Sequence, residues 1–370
     1  MKILIDNSNL YAGGGIQVAL SFLHDLINLG VEHTFFVVQS YRIAPLVKEE
    51  NFPKNFVFFH IDNLSIFKKR KCVENIENSI FPDVIFCVFG PSYHRSKVPK
   101  IVGFAIPHLI YSDSPFFKKM NRIDFFKTMA LSKIKEMAFR RFSDALIFET
   151  EDAKNIFNKK HTNQDLFVVG NTLNEIFFHK QKWKKCNINK NGKYKILCLT
   201  ANYPHKNLTI IPEIIRILQN QYSWNDFEFV LSVNKDELGF DEDVNNNIEY
   251  LGQVPLESIP ELYQIVDVVF IPTLLEVFST TYLEAMFMRK PIIASDMRFA
   301  RDVCEEGAYY CAPLSADSYA SALVRLKEDN ALYTKLVEYG EINLQRFGSS
   351  QDRTNKYLSV IEYIYNKYNK

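Results

Sequence analysis

The 370-residue sequence has little of what marks secreted, membrane-spanning or nucleic-acid-binding proteins. Its six cysteines form no CxxC pair, and several lie in apolar runs such as VIFCVF, which fits core thiols in a reducing cytoplasm. No apolar run approaches the roughly 18 to 20 residues that span a bilayer, and MKILIDNS carries no signal-peptide segment. The net charge of +1 provides no global field for nucleic acid. We therefore expect a soluble, cytoplasmic protein.

Internal repeats and low-complexity tracts are also missing, which excludes solenoid and disordered architectures. With 47% hydrophobic and 24% charged residues, the composition is that of an ordinary globular protein. A chain of this length is about twice the usual domain size, so we expect two domains. No GxGxxG motif with a following acidic ribose ligand is present, which argues against an NAD-dependent enzyme.

Short β-rich apolar runs alternate with longer amphipathic segments along the chain, which predicts parallel sheets covered by helices on both faces. The runs extend from KILID to LFVVG, and after a polar stretch they restart with YKILCLT. We predict an N-terminal Rossmann-like domain over 1–177, a connector over 178–193 and a C-terminal Rossmann-like domain over 194–348. Residues 349–370 have the one-sided spacing of a helix that closes the fold, with a return to the N-terminal domain as one option.

A glycine-rich turn follows the first strand-like run. Gly13, Gly14 and Gly15 precede a segment with the apolar spacing of a helix. Glycines in such a turn let a ligand lie against bare backbone near the positive helix N-terminus, so Gly14 and Gly15 are candidates for contact with a phosphate or sugar. A plain turn that needs positive φ angles explains the same residues equally well.

The segment PTLLEVFSTTYLEAMFMRKPIIASD contains the most informative residues. A strand-like run ends before Glu276, and a helix is predicted to begin near Ser279. Ligands of open α/β sheets bind outside the carboxyl ends of strands, and a helix starting there directs the amides of 279–281 to the same space. Glu276 and Glu284 are carboxylates suited to the hydroxyl pairs of a sugar and a ribose.

A purely structural explanation of this segment has similar weight on physical grounds alone. Thr281 and Glu284 have the spacing of a capping box, and Ser279 is a common residue at a helix N-cap. Carboxylates near helix N-termini are also common because they interact favourably with the helix dipole. Both explanations stay open at this point.

The same segment resembles the E-x7-E region of the retaining glycosyltransferase family 4, whose GT-B fold has two Rossmann-like domains facing each other across a cleft. The likeness rests on Glu276, Phe278, Leu283, Glu284, Ala285, Met286, Pro291, Ala294 and Ser295. It extends over nearly the whole chain, because IEYLGQVPLESIPELYQIVDVVFIPT resembles the stretch before that region and LFVVGNTLNEIFF the segment at the domain junction. The resemblance implies transfer of a sugar from a nucleotide donor with retention of anomeric configuration.

The resemblance also implies roles for individual residues. Glu276 would contact the donor sugar and Glu284 the ribose. Lys206, in TANYPHKNL, stands where the family has a lysine that neutralises the diphosphate, and His108, in GFAIPHLIY, stands where it has an active-site histidine. A solvated loop lysine and an unrelated strand-end histidine are the structural alternatives. The other donor-binding candidates implied are Phe278, Ser279, Thr280 and, near the base, Gly252.

The sequence departs from the family pattern in two ways. Many members carry an arginine at the position of 200 or 201, which are Thr and Ala here. Diphosphate binding is therefore expected to depend on His205 or Asn202 instead. Ser279 and Arg289 stand where glycine is common, and we expect both to reshape the sugar pocket. The donor sugar and its nucleotide therefore stay unspecified.

We expect a mechanism without a covalent enzyme intermediate and without a metal. The departing phosphate oxygen takes the acceptor proton, while Lys206 and helix amides stabilise the charge. The triplet Asp241-Glu242-Asp243 has a metal-binding DxD pattern, but it lies in the polar stretch GFDEDVNNN, which favours a solvated loop. The nucleotide-sugar is a co-substrate, and no other cofactor is expected.

A basic aromatic stretch, FFKKMNRIDFFKTMALSKIKEMAFRRF, occupies residues 116–142. Cations interleaved with Phe and Met suit the surface of an anionic membrane. A domain helix with its aromatic side in the core and its lysines in water fits the pattern equally well.

The sequence thus predicts a hexosyltransferase of the EC 2.4 class that acts on a glycan or lipid-linked glycan in bacterial surface polysaccharide assembly, such as O-antigen or capsule. We expect it in the cytoplasm, with peripheral binding to the inner face of the cytoplasmic membrane as an option. A GT-B-fold nucleotide-sugar epimerase is one alternative, since it would use the same donor site without an acceptor. A non-catalytic partner-binding subunit is the other.

Overall fold

Two parallel β-sheets with surrounding helices make up the computed structural model, which describes residues 1–11, 13–161, 164–189 and 191–369. The strands are β1 (Lys2–Asn7), β2 (Thr34–Ser40), β3 (Phe56–Ile61), β4 (Val84–Cys87), β5 (Lys100–Phe104), β6 (Ala145–Phe148), β7 (Asp165–Val168), β8 (Tyr194–Cys198), β9 (Phe227–Leu231), β10 (Ile248–Tyr250), β11 (Val268–Ile271), β12 (Ile292–Ser295) and β13 (Tyr309–Cys311). The α-helices are α1 (Gly14–Asn28), α2 (Ile66–Ile80), α3 (Pro107–Ile110), α4 (Arg122–Phe142), α5 (Glu151–Lys160), α6 (Ile211–Asn220), α7 (Lys235–Leu238), α8 (Glu242–Asn245), α9 (Ile259–Ile265), α10 (Thr280–Phe287), α11 (Arg298–Cys304), α12 (Ala316–Glu328), α13 (Asn330–Leu344) and α14 (Ser350–Tyr368).

The first sheet has the strand order β3-β2-β1-β4-β5-β6-β7, and its pairs are parallel. This is the doubly wound order of Rossmann folds with one strand added. Its strands are continuous apolar runs such as KILID and VIFC, because helices cover both faces and no face needs to be polar. The direction of strand order reverses between β1 and β4.

The last helix, α14, belongs to the first sheet unit. The ring of Tyr357 lies 5.6 Å from that of Phe22 on α1, in an edge-to-face arrangement. The buried carboxylate of Asp25, also on α1, accepts hydrogen bonds from Ser350 Oγ at 3.0 Å and Thr354 Oγ1 at 2.9 Å. The chain therefore returns to its first unit after completing the second.

The second sheet has the order β10-β9-β8-β11-β12-β13, again with parallel pairs. It repeats the doubly wound pattern, and here the strand order reverses between β8 and β11. Helices α6 and α12 pack together over one face, where Phe270 and Tyr319 meet with ring centroids 5.2 Å apart. The predicted fold class, two Rossmann-like doubly wound α/β domains, is confirmed.

The contacts divide the chain into two units that are discontinuous in sequence. One comprises Met1–Ile110, Arg122–Asn171 and Gly348–Lys370, and the other comprises Tyr111–Asn121 and Thr172–Phe347. The predicted connector contains the 3-10 turn Lys180–Lys182, and the backbone of Lys184 donates to the carbonyl of Glu257 in the second unit at 2.8 Å. Assignment of 111–121 to the second unit was not predicted.

Among the described residues, no helix combines the length and the apolar character needed to cross a bilayer.

Candidate functional site

Lys206 and Glu276 follow the two strands at which the order of the second sheet reverses. Lys206 ends the 3-10 turn Pro204–Lys206 after β8, and Glu276 lies in the loop between β11 and α10. In open α/β sheets such a reversal leaves a crevice outside the carboxyl ends of the strands, where ligands bind. The fold therefore places both predicted residues at the usual ligand position of this unit.

The two side chains are in direct contact. Lys206 Nζ donates a hydrogen bond to Glu276 Oε2, and both side chains are partly accessible, at 16% and 20% exposure. Their loops are also joined through the backbone, since the Leu274 amide donates to the His205 carbonyl at 2.8 Å. The turn ends at Asn207, whose φ of +58° is left-handed, a conformation that asparagine adopts more readily than most residues. The lysine and the carboxylate are thus held by a shared framework.

His205 and Asn202 were predicted to help Lys206 bind the diphosphate. In the structure the two residues have different surroundings. The His205 ring stacks on Tyr203, with centroids 5.6 Å apart, and burial, reinforced by Lys206, lowers its pKa while Glu276 opposes that shift. A neutral imidazole therefore lies beside the ion pair at physiological pH. Asn202 is exposed, and its Nδ2 donates to the Glu237 carbonyl at 2.7 Å.

The predicted helix start near Ser279 is confirmed, because α10 begins at Thr280 with Ser279 as N-cap. The capping-box explanation is wrong, because Thr281 lies inside the helix and the cap makes no side-chain hydrogen bond. First-turn amides of a helix lack intrahelical partners and favour anions. A small cavity at this helix start is lined by Cys198, Leu199, Thr200, Lys206, Phe270, Ile271, Pro272, Thr273, Ser279 and Thr281.

Glu284 lies inside the second unit, with 7% of its surface exposed. Tyr263 Oη donates to Glu284 Oε2 at 2.9 Å, and Thr280 also hydrogen-bonds to this carboxyl group. Burial raises the pKa of Glu284, and the two hydrogen bonds oppose part of that rise. Sequence analysis missed Tyr263, since a tyrosine within the apolar pattern of α9 carries no local sign of a polar partner. Contact of Glu284 with a ribose stays a prediction.

The other residues that the sequence pointed to on the donor side have structural roles in the second unit. Phe278 is buried and packs on Phe347, with ring centroids 5.7 Å apart. Gly252 has a φ of +62°, and a Cβ there would lie 2.7 Å from Asn234 Oδ1, so glycine is favoured at this position. Arg289 was expected to reshape the sugar pocket, but it lies just beyond the opposite end of α10 from Ser279, with a left-handed φ of +56°.

Gly14, Gly15 and His108 belong to the first unit. Gly13 carries the positive φ of the turn, +69°, while Gly14 and Gly15 form the first turn of α1 after β1. His108 lies in the short helix α3 after β5. Burial, reinforced by the charge of Lys135, lowers the pKa of His108 to about 4, so its imidazole is neutral near pH 7.

Residues of the 111–121 segment surround the Lys206 turn and were not predicted. Ser114 Oγ donates to the Leu274 carbonyl at 2.6 Å, and Lys119 Nζ donates to Asn207 Oδ1. The Phe116 ring lies perpendicular to that of His205, with centroids 6.1 Å apart. Three neighbouring side chains of one segment thus contact both loops of the candidate site.

The acidic side chains of the DxD triplet form ion pairs with basic side chains of the protein. Arg216 pairs with Asp241 at 2.7 Å and with Asp243 at 3.1 Å, and Lys235 pairs with Glu242 at 3.0 Å. These acids are exposed at the start of α8, and surface pairs of this kind contribute little stability. Over the described ranges, no cluster of three or more His, Cys, Asp or Glu is arranged to hold a metal.

Helix α4 contains most of the predicted basic aromatic stretch and presents apolar side chains to solvent. Its large exposed side chains, between 52% and 68% accessible, are Ile123, Phe126, Leu131, Ile134 and Met137. The spacing places them on one side of a helix. The exposed cations Lys127, Lys133, Arg140 and Arg141 lie among or beside them, and Phe139 is buried. The alternative of a helix with its aromatic side in the core and its lysines in water is therefore met in part, since Phe139 is buried while Phe126 is exposed.

Residues 179–342, a little less than half of the chain, match the family model described as "Glycosyl transferases group 1". The matched range lies inside the second unit and includes the Lys206–Glu276 pair. This match supports the predicted enzyme class, a glycosyltransferase.

One curated relative is the O-antigen chain mannosyltransferase RfbU of Salmonella typhimurium, 23% identical over 174 residues. The aligned region spans 45% of this chain and 45% of the relative, so the chain matches about half of that protein's length.

Two solved structures resemble the whole chain in fold. Anabaena Alr3699/HepE in complex with UDP and glucose has a TM-score of 0.72 at 14% identity, covering 98% of this chain and 99% of that one. Sucrose-phosphate synthase from Thermosynechococcus elongatus has a TM-score of 0.72 at 12% identity, covering 99% of both chains. Identities this low establish the likeness of fold alone.

Proposed function

We propose that this protein is a retaining hexosyltransferase of family 4 that moves a sugar from a nucleotide donor to a glycan or lipid-linked glycan. The contact between Lys206 and Glu276 carries the proposal. It joins a cation suited to a diphosphate and a carboxylate suited to sugar hydroxyls at the strand-order reversal of a doubly wound sheet. The match of this region to the glycosyl transferases group 1 model supports the same assignment.

Charge stabilisation accounts for the proposed catalysis. As the glycosidic bond of the donor breaks, the leaving diphosphate gains negative charge. Lys206 and the first-turn amides of α10 border one cavity and stabilise that charge without a metal ion. The leaving phosphate oxygen takes the proton of the acceptor hydroxyl, so no side chain needs to form a covalent bond. Glu276, released from Lys206 by the phosphate, accepts hydroxyls of the transferred sugar.

We propose a nucleoside-diphosphate hexose as the donor, by analogy with two of the similar proteins. The HepE structure contains UDP and glucose, and RfbU is described as a mannosyltransferase of the O-antigen chain. We assign this chain by analogy to bacterial surface polysaccharide assembly in the cytoplasm, with UDP- and GDP-linked hexoses as donor candidates. Gly14, Gly15 and His108 are proposed contributors from the first unit.

The exposed apolar side chains of α4 support a peripheral position on the inner face of the cytoplasmic membrane. An exposed apolar row flanked by cations fits the boundary between anionic headgroups and acyl chains. Each cation near such a surface contributes roughly 1 kcal/mol. A lipid-linked acceptor resides at this boundary, so binding there brings the enzyme to its substrate.

A thermal-shift screen followed by a transfer assay tests the proposal. Donor-class ligands, among them UDP-glucose, UDP-galactose and GDP-mannose, bind the native state alone, and saturation at a hundred times Kd stabilises it by about 2.7 kcal/mol. We expect one of them to raise the melting temperature and its hexose to reach membrane-extracted glycan acceptors. NMR of the product should show the anomeric configuration of the donor. Conversion of the nucleotide-sugar alone to its epimer would instead support an epimerase, and binding without turnover a non-catalytic subunit.

A further inference from the structure

The 111–121 segment holds the framework that carries Lys206 and Glu276. It comes from the first half of the sequence, yet its contacts belong to the second unit. Ser114 donates to the Leu274 carbonyl, and the amide of the same Leu274 donates to the His205 carbonyl. Leu274, in the loop that carries Glu276, is therefore hydrogen-bonded through its carbonyl to the 111–121 segment and through its amide to the Lys206 turn.

Asn207 is the second point of attachment. It is 1% exposed, and its Nδ2 donates to the Pro313 carbonyl at 3.2 Å while its Oδ1 accepts from Lys119 Nζ. Both ends of the amide are thus occupied, which fixes the side chain of a residue that directly follows Lys206. Without Lys119, the buried Oδ1 would lose a charge-assisted hydrogen bond, an interaction stronger than a neutral one.

We propose that Lys119 is a positioning residue for diphosphate binding: through Asn207 it holds the Pro204–Lys206 turn in the conformation that presents Lys206 to the leaving phosphate. Ser114, through its hydrogen bond to the Leu274 carbonyl, likewise holds the loop that carries Glu276. This inference rests on the proposed function, because it assigns a task to the same site.

Lys206 is the one cation among the described residues that line the cavity at the start of α10. With one lysine facing the diphosphate, the accuracy of its placement determines how much charge stabilisation the site provides, since preorganised groups avoid reorganisation during the reaction. The buried hydroxyl of Ser114 and the ring of Phe116 add contacts on the same two loops. The 111–121 segment therefore positions Lys206 and the Glu276 loop and does not itself contact the substrate.

The test compares Lys119→Met with Lys118→Met, a change at the neighbouring lysine, which is exposed as Lys119 is. Calorimetric titration measures the affinity of the full chain for UDP and GDP and, separately, for uridine and guanosine. We expect Lys119→Met to weaken diphosphate binding by about tenfold, since a hydrogen bond to a charged group contributes that order of free energy. Nucleoside binding should be unchanged, Lys118→Met should bind like the wild type, and Lys119→Arg should restore part of the loss.

A double-mutant cycle separates positioning from a merely structural effect. If Lys119 acts through the Lys206 turn, then Lys119→Met has little further effect in a Lys206→Met background. Additive losses, or equal loss of diphosphate and nucleoside binding, would overturn the inference. If Lys206→Met weakens diphosphate binding while Lys119→Met and Ser114→Ala leave it intact, the inference fails and the proposed function stands. If the wild type binds none of the four ligands, both fail.

Discussion

Lys206 Nζ and Glu276 Oε2 share a hydrogen bond although their residues lie 70 positions apart. Each group neutralises the other in this structure, so the nucleotide-sugar that we propose as donor has to separate them to engage both. Removing the charge of Lys206 should therefore affect ligand binding differently from removing the charge of Glu276.

We expect Glu276→Ala and Lys206→Ala each to abolish transfer, with a fall in rate on the order of a hundredfold or more. Their effects on binding should differ. Lys206→Ala weakens UDP and GDP binding, whereas Glu276→Ala preserves or strengthens it because the lysine is released. Turnover assays and calorimetry measure the two properties, and Lys235→Ala, which breaks an exposed ion pair, is the control. Near-normal turnover in either site variant would disprove the assignment.

Glu284 should make stability fall as pH rises. Its folded pKa lies above the ordinary 4.5, so ionisation costs more in the folded protein; the cost is absent below pH 4.5 and complete above the raised pKa. Glu284→Gln removes this cost, and the variant should gain stability relative to the wild type between pH 4 and pH 8. Urea unfolding at both pH values measures the change, with exposed Glu338→Gln as control. A pH-independent difference would contradict the buried environment of the carboxyl group.

His108 should titrate near pH 4, well below the ordinary 6.5 of histidine. Because its folded pKa is lowered, its contribution to stability is complete above pH 6.5 and is lost as pH falls toward 4. NMR titration of the imidazole carbons, assigned by the signal missing in His108→Gln, measures the pKa. Lys135→Met should raise it by removing a nearby positive charge, whereas Lys133→Met at an exposed position should leave it unchanged. Titration near 6.5 in the wild type would contradict the structure.

Vesicle flotation tests the exposed face of α4. We expect the wild type to float with vesicles of phosphatidylglycerol and phosphatidylcholine and to remain below with phosphatidylcholine alone. The double variant Phe126→Ser/Ile134→Ser should lose at least about tenfold in affinity, since burial of such a side chain contributes roughly 1.5 to 3 kcal/mol. Ile342→Ser, at an exposed isoleucine on α13, should bind like the wild type. Equal partitioning of wild type and double variant would refute the membrane proposal.

The fold could be predicted because short stretches of the sequence determine its strands and helices. Each strand is a short apolar run such as VIFC, each run is followed by a segment of helical periodicity, and that alternation admits few arrangements other than doubly wound parallel sheets. The start of α10 was predictable for the same reason, since Ser279 lies where a strand-like run gives way to a helical one.

The remainder of the site depends on contacts that leave no periodic pattern. Ser114 and Leu274 are 160 positions apart, and a serine hydroxyl bonded to a backbone carbonyl looks in sequence like any surface serine. Tyr263 fits the apolar side of α9 whether or not its hydroxyl meets Glu284. For α4, the sequence showed cations interleaved with Phe and Met, but whether the apolar side chains meet protein or solvent depends on the neighbouring elements.

The return of α14 to α1 bears on how the protein is made. Tyr357, Ser350 and Thr354 complete the interior around Phe22 and Asp25, so the first unit lacks part of its core until α14 has left the ribosome. The second unit needs only residues up to Phe347, together with the earlier 111–121 segment. During synthesis the first unit, although it begins first, is therefore completed after the second.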